Sequence, residues 1–150
     1  MGQSLSKNYI HITFSTKHRE AFITREIENE LFSYIGAICK KTDSSPIQVG
    51  GHKDHVHILC NLSKKIALMK LVEDVKSGSS KWIKTKGTEF SSFYWQNGYG
   101  AFSVNPTQVD VVVAYIRNQA EHHAKKSFKE EYLEFLNKYK VEFDERYIWD

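Results

Sequence analysis

Apolar residues recur with two different periods along this chain, and the order of those periods is the strongest constraint on its fold. From Tyr9 to Ser15 apolar and polar residues alternate, which is the period of a strand with one buried face. After Thr24, a residue suited to an N-cap, apolar residues return every three or four positions as far as the polar stretch 41–45. The start of the chain therefore predicts a strand followed by a helix that packs on a sheet.

Two short apolar runs come next, at residues 46–51 and 55–62, separated by a turn that contains glycine and aspartate. They predict a β-hairpin. A second helical stripe runs from about residue 65 to residue 84, and the small residues 77–80 in its middle favour a break or kink there.

The last third of the chain begins with an aromatic segment at residues 93–104, where two glycines indicate one or two strands with a bend. Asn105 offers an N-cap and Pro106 a first helical residue, so a third helix is predicted from Pro106 to about residue 126. Residues 128–139 predict a further helix. The acidic, aromatic end at 141–150 is expected to lie against the body.

The resulting order of strand, helix, strand, strand, helix, strand and terminal helix is that of an α+β sandwich of the ferredoxin-like (RRM-like) type. We therefore predict one antiparallel sheet with helices on one face and the other face left open for a site. A length of 150 residues suits a single domain over residues 1–150.

Composition limits the class of protein further. Apolar residues make up 41% and aromatic residues 13% of the chain, which is typical of a packed globule. No apolar run approaches the roughly 20 residues that span a bilayer, so no membrane partner is expected. Cys39 and Cys60 are too few for a disulfide framework, and we expect a soluble protein in the cytoplasm.

His55-Val56-His57 lies inside a predicted strand, so both imidazoles point from one face and Val56 points to the other. Two histidines in this arrangement can share one metal ion. Half-exposed strand histidines without a ligand are the alternative interpretation of these residues alone.

Tyr115 and Gln119 are four residues apart in the predicted third helix, so they lie next to each other on its flank. The Gln119 carbonyl oxygen, combined with imidazole nitrogen, suits a hard cation such as Mg²⁺ or Mn²⁺. A tyrosine beside such an ion can act as a nucleophile, because the ion stabilises charge on a scissile phosphate. A tyrosine that serves only packing is the alternative.

The net charge of +3 is unevenly distributed. Between residues 64 and 86 seven lysines stand against two acidic residues, a local charge of +5, whereas residues 127–150 include four basic and seven acidic residues. A basic band suits a phosphate backbone, and a solvated lysine face is the alternative. The candidate DNA contacts are Lys76, Lys81, Lys84, Trp95 and Arg117. Among them, the Trp95 ring could stack on an unpaired base.

Two of these motifs resemble those of a known family, the single-tyrosine HUH transposases of the insertion-sequence-200-like kind, which move single-stranded elements. His55-Val56-His57 resembles the His–hydrophobic–His signature, and residues 115–119 resemble the tyrosine motif. Three longer stretches, residues 51–57, 95–104 and 119–123, are similar to that family in order and spacing.

The resemblance implies a DNA transposase in which His55, His57 and Gln119 bind Mg²⁺ or Mn²⁺. It further implies that Tyr115, on a catalytic helix in the C-terminal part, cleaves single-stranded DNA to leave a 5′-phosphotyrosine link and a free 3′-hydroxyl group. A later attack by a 3′-hydroxyl group would rejoin strands without ATP. The family also implies a homodimer that recognises hairpins near element ends.

Alternatives stay open at this point. His122 or His123, three and four residues beyond Gln119, could replace it as third ligand. The same chemistry suits a domesticated nickase that acts on dispersed palindromic repeats, and the fold suits a non-catalytic nucleic-acid-binding module. A zinc hydrolase is disfavoured because no glutamate is placed along the sequence as a general base beside the histidine pair.

Overall fold

The four-stranded sheet has the predicted ferredoxin-like arrangement. A computed structural model describes residues 2–150. The strands pair in the order β2-β3-β1-β4, all antiparallel. Their bounds are Tyr9–Ser15 (β1), Ser45–His52 (β2), His55–Asn61 (β3) and Gly100–Ser103 (β4). The first strand and the hairpin are thus confirmed.

Helices lie on both faces of this sheet. Their bounds within residues 2–150 are Arg25–Lys41 (α1), Leu68–Lys84 (α2), Val109–Arg117 (α3), Gln119–His122 (α4) and Phe128–Lys138 (α5). The alternation in β1 and β3 turns most of their apolar residues towards α1 and α2. The main core forms there from fully buried side chains that include Ile12, Phe14, Leu31, Ile58 and Leu71.

The opposite face of the sheet is covered by the C-terminal helices, so the prediction of an open face is wrong. Phe128, Tyr132 and Leu136 of α5 are spaced four residues apart and cluster with Phe102 of β4. Ile116 of α3 packs on β3 in the same way. An apolar stripe on a helix needs an apolar partner, and this face of the sheet provides one.

The second helix continues through the small residues that favoured a break. The Ser79 hydroxyl donates to the Val75 carbonyl within the helix and accepts a hydrogen bond of 2.9 Å from the Trp95 indole. A Cβ on Gly78 would lie 2.9 Å from Ile38 of α1. The small residues therefore allow close packing against α1 and Trp95, and they do not interrupt the helix.

The predicted helix from Pro106 to residue 126 is instead divided into three parts. A 3₁₀ turn over Pro106–Gln108 precedes α3, and the Asn105 side chain caps that turn by accepting from Thr107 N at 2.9 Å. Asn118 has non-helical dihedral angles and separates α3 from α4. Of the segment 93–104, β4 alone is a strand, and Trp95 forms an isolated bridge with Thr16.

The C-terminal end lies against the body, as predicted. The Arg19 guanidinium donates to the Trp149 carbonyl at 2.8 Å, and the Gln96 side-chain amide donates to the Ile148 carbonyl at 3.1 Å. Among residues 2–150 no helix combines the length and apolar character needed to cross a bilayer.

Candidate active site

His55 and His57 project from β3 towards the C-terminal helices, and both side chains are 0% exposed. The Nδ1 atom of His55 donates to the Asp54 carboxylate at 2.7 Å, and Nδ1 of His57 lies 2.8 Å from Nε2 of His11. An outer partner on Nδ1 orients an imidazole and leaves Nε2 for a ligand. The predicted shared face is confirmed, and β1 adds the orienting His11.

Burial keeps two of these rings uncharged. It lowers the pKa of His57, and together with the neighbouring His57 it lowers the pKa of His11 to about 3. A neutral imidazole is the form that binds a metal ion.

Gln119 is the first residue of α4, directly after the interruption at Asn118. Its Oε1 atom lies 2.8 Å from Nε2 of His55 and 2.9 Å from Nε2 of His123, and its amide nitrogen donates to the Tyr115 carbonyl at 3.3 Å. The side chain is buried, with 1% exposure. The structure thus brings Gln119 to the histidine pair and keeps it beside Tyr115, although a helix boundary separates the two residues.

Glu131 of α5 also reaches this cluster, although none of the sequence motifs includes it. Its Oε1 atom lies 2.9 Å from Nε2 of His57 and 3.8 Å from Nε2 of His55, while Oε2 lies 3.3 Å from Nε2 of His123. A signal was present in the sequence, because Glu131 is an acidic residue inside the apolar stripe of α5. An acidic residue in such a stripe requires a buried polar partner.

The absence of a glutamate near the histidine pair, which disfavours a zinc hydrolase on sequence alone, is corrected by the structure. A glutamate does lie beside the histidine pair, since Glu131 hydrogen-bonds to His57. The contact joins residues 74 positions apart, so no local pattern around the histidines could predict it.

These side chains form one group of metal-type donors, which we call the donor cluster: His55, His57, Gln119, His123 and Glu131. The ligand atoms of its three histidines and its glutamate all lie within 4.8 Å of one another. Imidazole nitrogens with amide and carboxylate oxygens are a donor set that divalent cations accept. The cluster therefore fits a divalent metal ion.

His122 and His123, the alternatives to Gln119 as third ligand, have different positions. His123 belongs to the donor cluster, where it contacts Gln119 directly. His122 packs its ring against Tyr115, with 4.6 Å between ring centroids, and its side chain is outside the cluster. His123 thus lies beside Gln119 within the cluster, whereas His122 does not.

Tyr115 lies at the edge of the donor cluster. Its hydroxyl donates a hydrogen bond to Oε2 of Glu131, and its ring is 5.7 Å from the His57 ring. A cavity of about 230 Å³ adjoins Tyr115 and Glu131 and is also lined by Val112 and Phe135. A phenol oxygen, a carboxylate and the imidazoles therefore meet at one point within a single chain.

Glu131 sets the charge of this site. Burial acts to raise its pKa, but hydrogen bonds from His123 and His57 outweigh burial and hold the pKa well below its usual range. Burial and the Glu131 charge both raise the pKa of Tyr115. Burial acts to lower the pKa of His123, yet the bond to Glu131 raises it overall. The resting cluster thus has a charged carboxylate beside a protonated tyrosine.

Two of the predicted DNA contacts are occupied within the protein. Trp95 is 7% exposed and donates its indole N–H to Ser79, so its assignment as a stacking platform is corrected: the ring belongs to the core. The Lys76 ammonium donates to three backbone carbonyls, at 2.7 to 3.1 Å, in residues 96–98. It orders that loop and has little freedom to reach a phosphate.

The remaining candidates lie nearer the solvent. Lys81 and Arg117 are exposed, and the ammonium of Lys84 lies 4.2 Å from the centre of the exposed Tyr94 ring. Tyr94 directly precedes Trp95, and aromatic type alone did not indicate which of the two rings is exposed.

Comparison with known proteins identifies the class of protein to which this fold and donor cluster belong. The family model described as transposase IS200 like matches residues 4–119. The chain therefore belongs to the IS200-like transposase family, and membership supports a role in processing DNA. The match ends at Gln119, so α5 and Glu131 lie beyond it. A search of curated proteins found no significant match.

Two solved structures share the fold. A protein assigned as a transposase from Deinococcus radiodurans R1 is 18% identical, with a TM-score of 0.61 over 79% of this chain and 96% of its own. A REP-associated tyrosine transposase, solved bound to a REP hairpin, is 13% identical, with a TM-score of 0.60 over 82% of this chain and 73% of its own. Both similarities extend the fold assignment to most of this chain.

Proposed function

We propose that this protein is a DNA transposase that cuts and rejoins single-stranded DNA at the ends of an insertion sequence, with Tyr115 as the nucleophile. One observation carries the proposal: a single carboxylate, Glu131, contacts both the Tyr115 hydroxyl and the buried histidine pair. The nucleophile and the donors thus belong to one site.

The metal ion in this proposal is Mg²⁺ or Mn²⁺, held by His55, His57 and Gln119. The Nδ1 partners of both histidines support this assignment, because they direct Nε2 of each ring into the donor cluster. When bound, the ion polarises the scissile phosphate and stabilises charge on its oxygens.

The reaction exchanges one phosphate ester for another. The Tyr115 oxygen attacks the phosphorus, forms the new O–P bond and gives up its proton, while the bond to the 3′ oxygen breaks and that oxygen takes up a proton. The 5′-phosphotyrosine link keeps the energy of the phosphodiester. A 3′-hydroxyl group can therefore attack it in the reverse sense and join strands without ATP.

The chain acts in this proposal as one catalytic domain, residues 1–150, because α5 outside the family match contributes to the same site. Its partner is single-stranded DNA with hairpin ends, and the basic band at residues 64–86 is a second surface that suits a phosphate backbone. Two copies form a homodimer, so that both ends of an element are held together. Because its proposed substrate is DNA, the protein would act in the cytoplasm.

Formation of a covalent adduct tests the proposal. The wild-type protein is mixed with Mn²⁺ and a labelled single strand that includes the hairpin and flank of the element end, and the products are separated on a denaturing gel. We expect a shifted protein–DNA band for wild type and for Tyr147→Phe, an exposed control, and none for Tyr115→Phe. An adduct with Tyr115→Phe would overturn the assignment of the nucleophile, and the absence of any adduct would favour a non-catalytic binding module.

A second candidate has one observation in its favour. One of the solved structures that share this fold is that of a REP-associated tyrosine transposase bound to a REP hairpin. By analogy, the chain would nick dispersed palindromic repeats with the same residues. Sequencing the DNA around the gene decides between the two, because inverted ends that flank the gene support transposition of its own element and scattered hairpins elsewhere support the nickase.

A further inference from the structure

Glu131 and His123 are the two members of the donor cluster that lie beyond the family match, which ends at residue 119, and Glu131 is the carboxylate of the pair. We infer that Glu131 is an additional metal ligand supplied by α5, and that its second oxygen holds the Tyr115 hydroxyl beside the metal site. The inference rests on the proposed function and adds a carboxylate to the His55, His57 and Gln119 set.

The surroundings of Glu131 support a ligand role. Its carboxylate is buried, with 2% exposure. Within residues 2–150 its ion-pair partners are His55, His57 and His123, with no lysine or arginine among them. Buried carboxylates are normally paired with a cation or bound to a metal. Since two of these imidazoles point Nε2 at the carboxylate and have Nδ1 already engaged, a divalent cation is the partner that the arrangement fits.

The two oxygens of Glu131 face different groups. Oε1 lies 2.9 Å from Nε2 of His57, on the side of the paired histidines. Oε2 accepts the hydrogen bond of the Tyr115 hydroxyl. One carboxylate thus touches the donors with one oxygen and the nucleophile with the other, which fixes the position of the phenol relative to the ligands.

This arrangement links metal binding to the docking of α5. Glu131 is in the first turn of that helix, which begins with a capping box between Ser127 and Glu130. If Glu131 binds the ion, the metal stabilises α5 on the sheet. If Glu131 only positions Tyr115, metal affinity is independent of the carboxylate.

Binding of Mn²⁺ to the full-length protein distinguishes these outcomes, measured by calorimetry and by Mn²⁺ electron paramagnetic resonance. We expect Glu131→Gln, which keeps an oxygen for the Tyr115 hydroxyl, to weaken Mn²⁺ binding by roughly 10- to 100-fold. The controls Glu130→Gln and Glu134→Gln, on the exposed side of α5, should bind as wild type does. Circular dichroism verifies that each variant is folded.

A second measurement needs no variant. Hydrogen exchange of the wild-type protein is followed with and without Mn²⁺, and we expect slower exchange across residues 128–138 when the ion is present. Equal Mn²⁺ affinity of Glu131→Gln and wild type, or unchanged exchange in α5 when wild type is saturated, would overturn the inference. Failure of the proposed function itself would give a different result, because the wild-type protein would then form no covalent adduct with DNA.

Discussion

Gly50 of β2 lies directly under Ile116 of α3, and a Cβ at Gly50 would come within 2.8 Å of Ile116 Cγ2 and 3.0 Å of the Ile116 carbonyl oxygen. The helix that carries Tyr115 thus rests on a strand position with no room for a side chain. Because one of the close atoms belongs to the backbone, rotation of a side chain cannot relieve the clash.

We predict that Gly50→Ala displaces α3 and lowers the free energy of unfolding by about 1–3 kcal/mol. The adduct yield should fall with it, since Tyr115 is one residue from the contact. Chemical denaturation and the gel assay measure the two effects. Gly36→Ala in α1 is the matched control, because a Cβ there meets nothing within 4 Å. It should leave stability unchanged or raise it by about 0.5–1 kcal/mol; equal effects of the two variants would contradict the prediction.

The orienting role of His11 gives a second prediction. His11→Phe keeps an aromatic ring of similar size among Phe102 and Phe135 but removes the partner of His57 Nδ1. We expect Mn²⁺ affinity to fall by roughly tenfold with little change in melting temperature. Calorimetry would measure this loss of Mn²⁺ affinity, and the control Tyr9→Phe on the same strand should bind Mn²⁺ as wild type does. Undiminished affinity in His11→Phe would mean that the sheet alone orients His57.

Lys76 and Lys81 lie on the same helix, but we expect substitution of Lys81 to weaken DNA binding and substitution of Lys76 to lower stability. Lys81→Ala should weaken binding of single-stranded DNA and reduce the salt dependence of the affinity by about one ion, with stability within about 0.5 kcal/mol of wild type. Lys76→Met should lower stability by about 1–2 kcal/mol, because carbonyls of residues 96–98 lose their donor. Fluorescence anisotropy over a salt series, with denaturation curves, separates the two. If Lys81→Ala leaves both the DNA affinity and its salt dependence unchanged, Lys81 and its face of α2 do not contact DNA.

Local patterns were enough to predict the strands and the shared face of His55 and His57, because alternation acts over neighbouring residues. The two-sided coverage of the sheet was not predictable in this way, since the stripe on α5 does not indicate which surface it will cover. Glu131 was missed for the same reason: it meets His57 across 74 positions of sequence. Ser77 to Ser80 favoured a break because local propensity does not include the close packing of Gly78 and Ser79 against α1 and Trp95.

The position of Tyr115 and the histidines on one chain has a consequence for mixtures of inactive variants. Because one chain supplies Tyr115 and the histidines of its own site, we predict that a subunit with a damaged tyrosine is not rescued by the tyrosine of a neighbouring copy. Mixing Tyr115→Phe chains with His57→Ala chains should therefore restore no cleavage. A mixed pair would then contain two incomplete sites, one without its nucleophile and one without a histidine, and cleavage by such a mixture would show that the tyrosine of one copy serves the histidines of another.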